Sequence, residues 1–275
     1  MDVTLGFSPC PNDTFIFHAL VHGLVAPDLS WDVRLADVEA LNRWAVDAEL
    51  DVTKLSYHAY LHVCDRYVML PTGGALGRAV GPLLVTKERL GDLSGAVVAT
   101  PGGLTTANLL LALWQPEGIQ TIEMRYDEIM PAVASGAVDA GLIIHESRFT
   151  YQDHGLTAHI DLGTWWERTT GHPIPLGGIA VRRDMAPELI VRIDEAIRAS
   201  LLHAWATPTA SADYVAKHAR EMAQEVRDRH IELYVNEFSR DVGRQGRDAV
   251  TELVSRAVAR GLVSPPQQGL FAEAT

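Results

Sequence analysis

Cysteine is scarce in this chain: Cys10 and Cys64 are the two present in 275 residues, and they form no CxxC pair. That excludes a disulfide scaffold and leaves a cysteine-based zinc site without support. Positive charge is also short, with 23 Lys and Arg against 35 Asp and Glu, for a formal net charge of −12. No Lys/Arg block offsets it, which excludes a nucleic-acid surface. An anionic ligand must therefore be captured by local backbone dipoles and a few placed cations, against the overall field. No apolar run is long enough to cross a bilayer, and residues 1–8 show no basic segment leading into an apolar one. Neither membrane insertion nor a secretory signal is expected, and the cytoplasm is the expected compartment. Tandem repeats and low-complexity tracts are missing too, and the glycine-rich segment Gly73-Gly74-Ala75-Leu76-Gly77-Arg78 lacks the ending of a phosphate-binding loop.

What is present is the composition of an ordinary globular chain, 47% apolar and 21% charged, long enough for two domains or one large one. Short apolar runs bounded by turn residues alternate with helical periods. Strands are predicted over 3–7, 30–35, 50–54, 66–70, 80–86, 96–100, 121–126 and 140–144, with helices over 15–25, 38–49, 57–63, 107–114 and 128–135. Two strand–helix–strand units after residue 96 predict a small parallel sheet there. A strand at 159–162, a short helix around 165–168 and a strand at 174–181 follow. Beyond these the chain is helical by period, over 187–206, 211–219, 222–238 and 244–261, and its last residues read as frayed. The first of these helices carries a stripe of Val191, Ile193, Ala196, Ile197, Leu201 and Leu202. The fold class is α/β, with a polar boundary at 87–95.

Four places carry candidate chemistry. The run Ala140-Gly141-Leu142-Ile143-Ile144 breaks abruptly into His145-Glu146-Ser147-Arg148. A histidine just past a buried parallel strand sits where open sheets bind ligands, and it titrates near neutral pH. It is equally a loop or capping residue on this ground alone. The turn Ser8-Pro9-Cys10-Pro11-Asn12-Asp13-Thr14 leads from a strand into a helix, with Asn12 or Asp13 a natural N-cap and free N–H groups at hand for an anion. No sequence feature supplies a base for Cys10 as a nucleophile. Lys54 and Ser56 recur at the end of a strand, where a lysine offers a point charge to a carboxylate. Thr105 and Thr106 open a helix after Pro101-Gly102-Gly103, and each either caps it or binds a ligand carboxylate. The pairs His18/His22 and His58/His62 have helical spacing, but neither has the Glu of HExxH or a third ligand nearby, so no metal is expected.

The segments Ser8-Pro9-Cys10-Pro11-Asn12-Asp13-Thr14-Phe15-Ile16-Phe17, Thr53-Lys54-Leu55-Ser56-Tyr57, 73–78 and 141–151 resemble the motifs of the 1,4-dihydroxy-6-naphthoate synthases of the futalosine route to menaquinone, over residues 3 to about 262. The resemblance implies a two-lobed fold like that of type II periplasmic binding proteins, with a ligand cleft between lobes. Residues 1–87 with 178–275 would form the larger, discontinuous lobe, and 88–177 the smaller inserted one. It further implies a carbon–carbon lyase in which cyclic dehypoxanthinyl futalosine loses dihydroxyacetone and becomes the naphthoate, with no cofactor. Carried onto matching positions, His145 would be the proton acceptor, and Lys54, Leu55, Ser56, Thr106 and Ala107 would contact the substrate. Ser8, Asn12 and Thr105 would join them in binding the substrate. A non-catalytic binding protein for an anionic metabolite is the competing class, since fold alone does not decide function. The chorismate-dehydrating enzyme of the same route shares the fold, but the His145 run and the Ser8 turn match the synthase.

Overall fold

The computed structural model describes residues 2–88, 91, 93–114, 118–220 and 223–273. Met222, the expected start of one helix, lies outside the described residues, as do the last two residues and part of the polar stretch 87–95. In chain order the first part runs β1 (Val3–Phe7), α1 (Pro11–Val21), β2 (Trp31–Leu35), α2 (Val38–Val46), β3 (Val52–Ser56), α3 (Tyr57–Val63), β4 (Tyr67–Met69) and β5 (Ala75–Gly77). A second part follows with β6 (Leu83–Thr86), β7 (Val97–Thr100), α4 (Thr106–Trp114), β8 (Gln120–Glu123), α5 (Tyr126–Ser135), β9 (Ala140–Ile143), α6 (Ser147–Thr150), β10 (Thr157–Asp161) and α7 (Leu162–Thr170). The chain closes with β11 (Ile174–Arg182), α8 (Pro187–Ala206), α9 (Ala212–His218), α10 (Gln224–Tyr234), α11 (Glu237–Arg240) and α12 (Gly243–Ala259).

These strands build two sheets. The first has the order β2-β1-β3-β11-β4, with β5 also paired to β11; β1, β2 and β3 are parallel, and β11 returns antiparallel to β3. The second has the order β10-β6-β9-β7-β8. Its β7, β8 and β9 are parallel, as two strand–helix–strand units require. The sheet as a whole is mixed, because β6 and β10 add antiparallel pairs. The chain enters this sheet at Leu83 and rejoins the first at Ile174. Strands β1, β3, β7 and β9 point their carboxyl ends toward one crevice, the place where such sheets hold ligands.

Helix α1 is the enclosed element. Pro11 occupies its first turn and fixes φ in advance, so the helix starts four residues ahead of the expected Phe15. Cys10 holds the N-cap position without a side-chain cap, and Asn12 and Asp13 lie inside the helix instead of capping it. Every residue from Pro11 to Leu20 is buried, as in a helix packed on all sides. On one of them the Ser200 hydroxyl of α8 accepts from Leu20 N at 3.0 Å and donates to Ile16 O at 2.6 Å. The α8 stripe is Ile193, Ala196, Ile197, Ser200, Leu201 and Ala204, while Leu202, expected inside, is exposed, since one residue turns it about 100° off the stripe. Strand β8 stops at Glu123, short of the expected 126. Tyr126 instead opens α5, where Asp127 and Glu128 suit the positive end of a helix.

Candidate active site

The crevice is a cavity of about 100 Å³, and its walls include Ser8, Asn12, Lys54, Leu55, Ser56, Thr105, Thr106, Ala107 and His145. Every candidate site residue from the sequence thus lies on one cavity. Val38, Val80, Pro82 and Leu176 give it apolar wall.

His145 is the second residue past β9, and its φ is +57°. A left-handed residue that is not glycine is uncommon, although histidine tolerates the region better than most, and such conformations gather at functional sites. Its Nδ1 lies 3.6 Å from Cys10 Sγ, and its ring meets that of Tyr126 edge-on at 5.2 Å between centroids. With Nδ1 engaged, Nε2 is the ring nitrogen left for a ligand. Burial lowers the imidazole pKa below the ordinary histidine range; Glu146, Asp13 and Asp37 pull it back up, and Lys54 lowers it further. The neutral form, which accepts a proton, is thereby favoured. Burial, reinforced by Glu146 and Asp13, drives the Cys10 thiol well above its ordinary value. The base that the sequence failed to supply for Cys10 is therefore present as His145, but the sulfur stays a thiol and not the thiolate a nucleophile needs.

Asp13 organises the opposite wall. It is buried, accepts from Ser8 N–H at 3.1 Å and Ser8 Oγ–H at 2.6 Å, and accepts from Asn12 Nδ2 at 2.9 Å. Lys54 Nζ sits 3.2 Å from Asp13 Oδ1 and donates to Gly73 O at 3.0 Å. Lys54 is therefore a fixed, largely compensated charge, and it is not the mobile solvated lysine that strand ends usually carry. Ser56 is held by Asn42 through its backbone N–H (2.9 Å) and as an acceptor through its hydroxyl (3.2 Å), which leaves its O–H free to donate.

The two threonines divide their work. Thr105 Oγ1 accepts from Asn108 N at 3.2 Å and caps α4. The Thr106 hydroxyl donates to Leu176 O at 2.6 Å and accepts from His58 N at 3.2 Å, joining α4 to β11 and α3. Neither hydroxyl is left to donate to a ligand, because Thr105 Oγ1–H goes to Gly102 O at 2.8 Å. The N–H groups of Thr106 and Ala107 belong to the open first turn of α4, where an anion is stabilised by both hydrogen bonds and the helix dipole. Near the crevice mouth, Arg43 of α2 reaches Glu123 of β8 at 2.6 Å, and Glu39 accepts from Leu104 N at 3.3 Å, so the two sheets are tied there.

Sequence reasoning missed His230 and Tyr234 of α10, which also line the cavity, and Tyr126 beside His145. The surroundings of His230 and Tyr234 look like any amphipathic period, and Tyr126 is expected from sequence at the end of a strand, so nothing local marks them. Asp13, with Asn12 one of two natural caps by sequence, instead holds Lys54 with its carboxylate. The histidine pairs do share faces, with ring centroids 4.5 Å apart for His18/His22 and 5.1 Å for His58/His62. Among the described residues, ligand atoms of Cys10, His145 and Glu146 come within 4.8 Å of one another. No helix among the described residues is long and apolar enough to cross a membrane.

A family model described as menaquinone biosynthesis matches residues 3–259. A Thermus thermophilus protein named 1,4-dihydroxy-6-naphtoate synthase is 54% identical over 267 residues, 97% of this chain and 98% of that one. A Streptomyces coelicolor protein of the same name is 50% identical over 264 residues, 94% of each chain. The crystal structure of protein AF1704 from Archaeoglobus fulgidus superposes with a TM-score of 0.92 at 37% identity, covering 95% of this chain and 98% of that one. The periplasmic aliphatic sulphonate-binding protein SsuA from Escherichia coli matches at a TM-score of 0.68 and 13% identity, over 100% of this chain and 94% of that one, a likeness of fold alone. The architecture is thus periplasmic-binding-protein-like, and the chain belongs to the menaquinone biosynthesis family, in company with the 1,4-dihydroxy-6-naphthoate synthases.

Proposed function

We propose that the protein is a carbon–carbon lyase that converts cyclic dehypoxanthinyl futalosine into 1,4-dihydroxy-6-naphthoate and dihydroxyacetone, with His145 as the proton acceptor. The observation that carries the reading is the neutral, partly exposed His145 facing the same cavity as the α4 N-terminus, in a chain half identical to two named synthases. Cleavage that ends in an aromatic ring is downhill, so the protein has to position the substrate and move protons. The first-turn N–H groups of Thr106 and Ala107 and the Ser56 hydroxyl would hold the substrate carboxylate and a hydroxyl. Leu55 and Leu176 would pack on its ring system. Lys54, pinned and largely neutralised by Asp13, shapes the wall and is not free to form a new ion pair.

The His145 tautomer matters. For Nε2 to accept a proton, Nδ1 must carry the hydrogen and point it at Cys10 Sγ, which casts Cys10 as a positioning residue. The lobe division into 1–87 with 178–275 and 88–177 belongs to this proposal as the pair of bodies that close on the substrate, with β6 lent to the second sheet from ahead of the boundary. A small anionic substrate and a cytoplasmic location go with it.

The test is direct. Purified protein incubated with cyclic dehypoxanthinyl futalosine should yield the naphthoate, followed by absorbance and mass. His145→Ala should bind substrate but lose at least about a hundredfold in turnover, the lower end for removal of a placed base. A folded protein that forms no product would sink the lyase reading, and near-normal turnover of the variant would remove His145 from the base role.

A further inference from the structure

The cavity of about 100 Å³ is smaller than the ~300–1,000 Å³ that sites for drug-sized ligands occupy. It holds only part of a molecule that breaks down into a naphthoate and a triose. On the α10 side it is closed, because His230 is fully buried there with Nε2 2.8 Å from Asn12 Oδ1. A hollow of about 480 Å³ beside His58 and His62 shares no wall residue with the cavity among the described residues. A groove of about 380 Å³ does adjoin it. Val38, the first residue of α2, lines both. Tyr126 of the groove wall meets the His145 ring edge-on, so the groove lies against the proposed proton acceptor. Pro101 and Gly102, just ahead of the first turn of α4, line it as well.

The charges of this groove are already matched. Arg43 pairs with Glu39 at 3.2 Å and with Glu123 at 2.6 Å. Arg125 pairs with Asp127 at 2.5 Å and with Glu128 at 3.2 Å. Asp37 caps α2, accepting from Glu39 N and Ala40 N, both at 3.0 Å. A ligand anion would have to displace a carboxylate from one of these guanidinium groups. A hydroxyl need not, since it donates to a carboxylate oxygen and accepts from a spare guanidinium N–H at the same time. The cavity offers the opposite chemistry, with the first-turn N–H groups of Thr106 and Ala107 suited to an anion. We infer that the groove between the start of α2 and the β8–α5 turn is the subsite for the neutral, hydroxyl-bearing three-carbon part of the substrate, the part that leaves as dihydroxyacetone. The carboxylate-bearing ring end occupies the cavity, and the bond joining the two parts lies at the junction of Val38 and Tyr126, beside His145. This rests on the lyase reading above.

Ala40 lines the groove and not the cavity, so a larger side chain there fills the one without entering the other. Equilibrium titration in the His145→Ala background, where substrate should bind without turnover, reads affinity free of any effect on access. Adding Ala40→Phe should weaken cyclic dehypoxanthinyl futalosine by about tenfold or more, the worth of one lost hydrogen bond. Binding of 1,4-dihydroxy-6-naphthoate, which lacks the triose, should not change. In the otherwise unaltered enzyme, Ala40→Leu should lower kcat/KM without changing inhibition by the naphthoate, and it carries the test if the double variant folds or binds poorly. Equal weakening of both ligands, or no weakening of the larger one, overturns the subsite and leaves the lyase reading standing. A parent protein that makes no product overturns the lyase reading and this inference with it.

Discussion

His145 concentrates the residue-level questions, because its charge state decides whether it can act. Burial is the largest influence on it and lowers its pKa, so the base stays competent to more acidic pH than an ordinary histidine near 6.5. The acid limb of a kcat/KM profile should therefore fall below about pH 6.5; a limb at or above that value would contradict the assignment. Cys10 supplies the contrast. If it only steers the imidazole through Nδ1, Cys10→Ser should cost no more than about tenfold in kcat, the worth of one neutral hydrogen bond. If it were a nucleophile, the loss would resemble that of His145→Ala. His145 was legible in the sequence because an apolar run ending in His-Glu-Ser-Arg breaks a pattern. His230 was not: flanked by Asp228 and Arg229 in a helical period, it reads as one more solvated residue, and its meaning comes from Asn12, 218 positions away.

Among the elements, β11 shows how tightly the site depends on strand geometry. Gly177 pairs with Ser56 across β11 and β3, and a Cβ there would lie 2.6 Å from Leu55 O. A backbone carbonyl cannot rotate away as a side chain does, so the segment presenting Lys54, Leu55 and Ser56 would have to move. Gly177→Ala should destabilise the fold by about 1–3 kcal/mol, the usual range for overpacking, and should raise KM. Thermal unfolding and steady-state kinetics on one preparation check both, and an unchanged melting temperature would show that β3 yields freely. Strands of the parallel core were legible as short apolar runs, because burial on both faces removes polar alternation. Strands β6 and β10 were legible as strands too, but their antiparallel pairing was not, since Leu84 pairs with Ile160 far along the chain and register of that kind leaves no local trace. The start of α1 was misplaced for a different reason. Its Pro11 start leaves Asn12 and Asp13 as interior residues whose polar side chains serve the site, so local capping chemistry pointed to the wrong turn.

Over the whole molecule, burial of histidine sets the response to acid. His18, His58, His145 and His230 all have lowered pKa values, and in each case burial is the first cause. In the unfolded chain they would titrate near 6.5. Above that pH they are neutral in both states and contribute nothing to the pH dependence. As pH falls below it the unfolded chain binds protons that the folded one refuses, and stability is lost until the folded values are reached. His58, pushed down to about 4, costs roughly 3 kcal/mol by about pH 4 on this reckoning. The carboxylates with lowered values, Asp127 and Asp184, act in a separate window: their contribution is complete above 3.8 and fades only below it. Melting temperature should therefore hold steady from pH 8 to 7 as far as these histidines are concerned, then fall between about 6.5 and 4. His58→Gln, distant from the proton chemistry, should make that descent shallower without altering the acid limb of kcat/KM. A variant that melts with the parent's full pH slope would show that the imidazole at 58 is already charged in the folded protein, and that the hollow beside His62 is wetter than its burial implies.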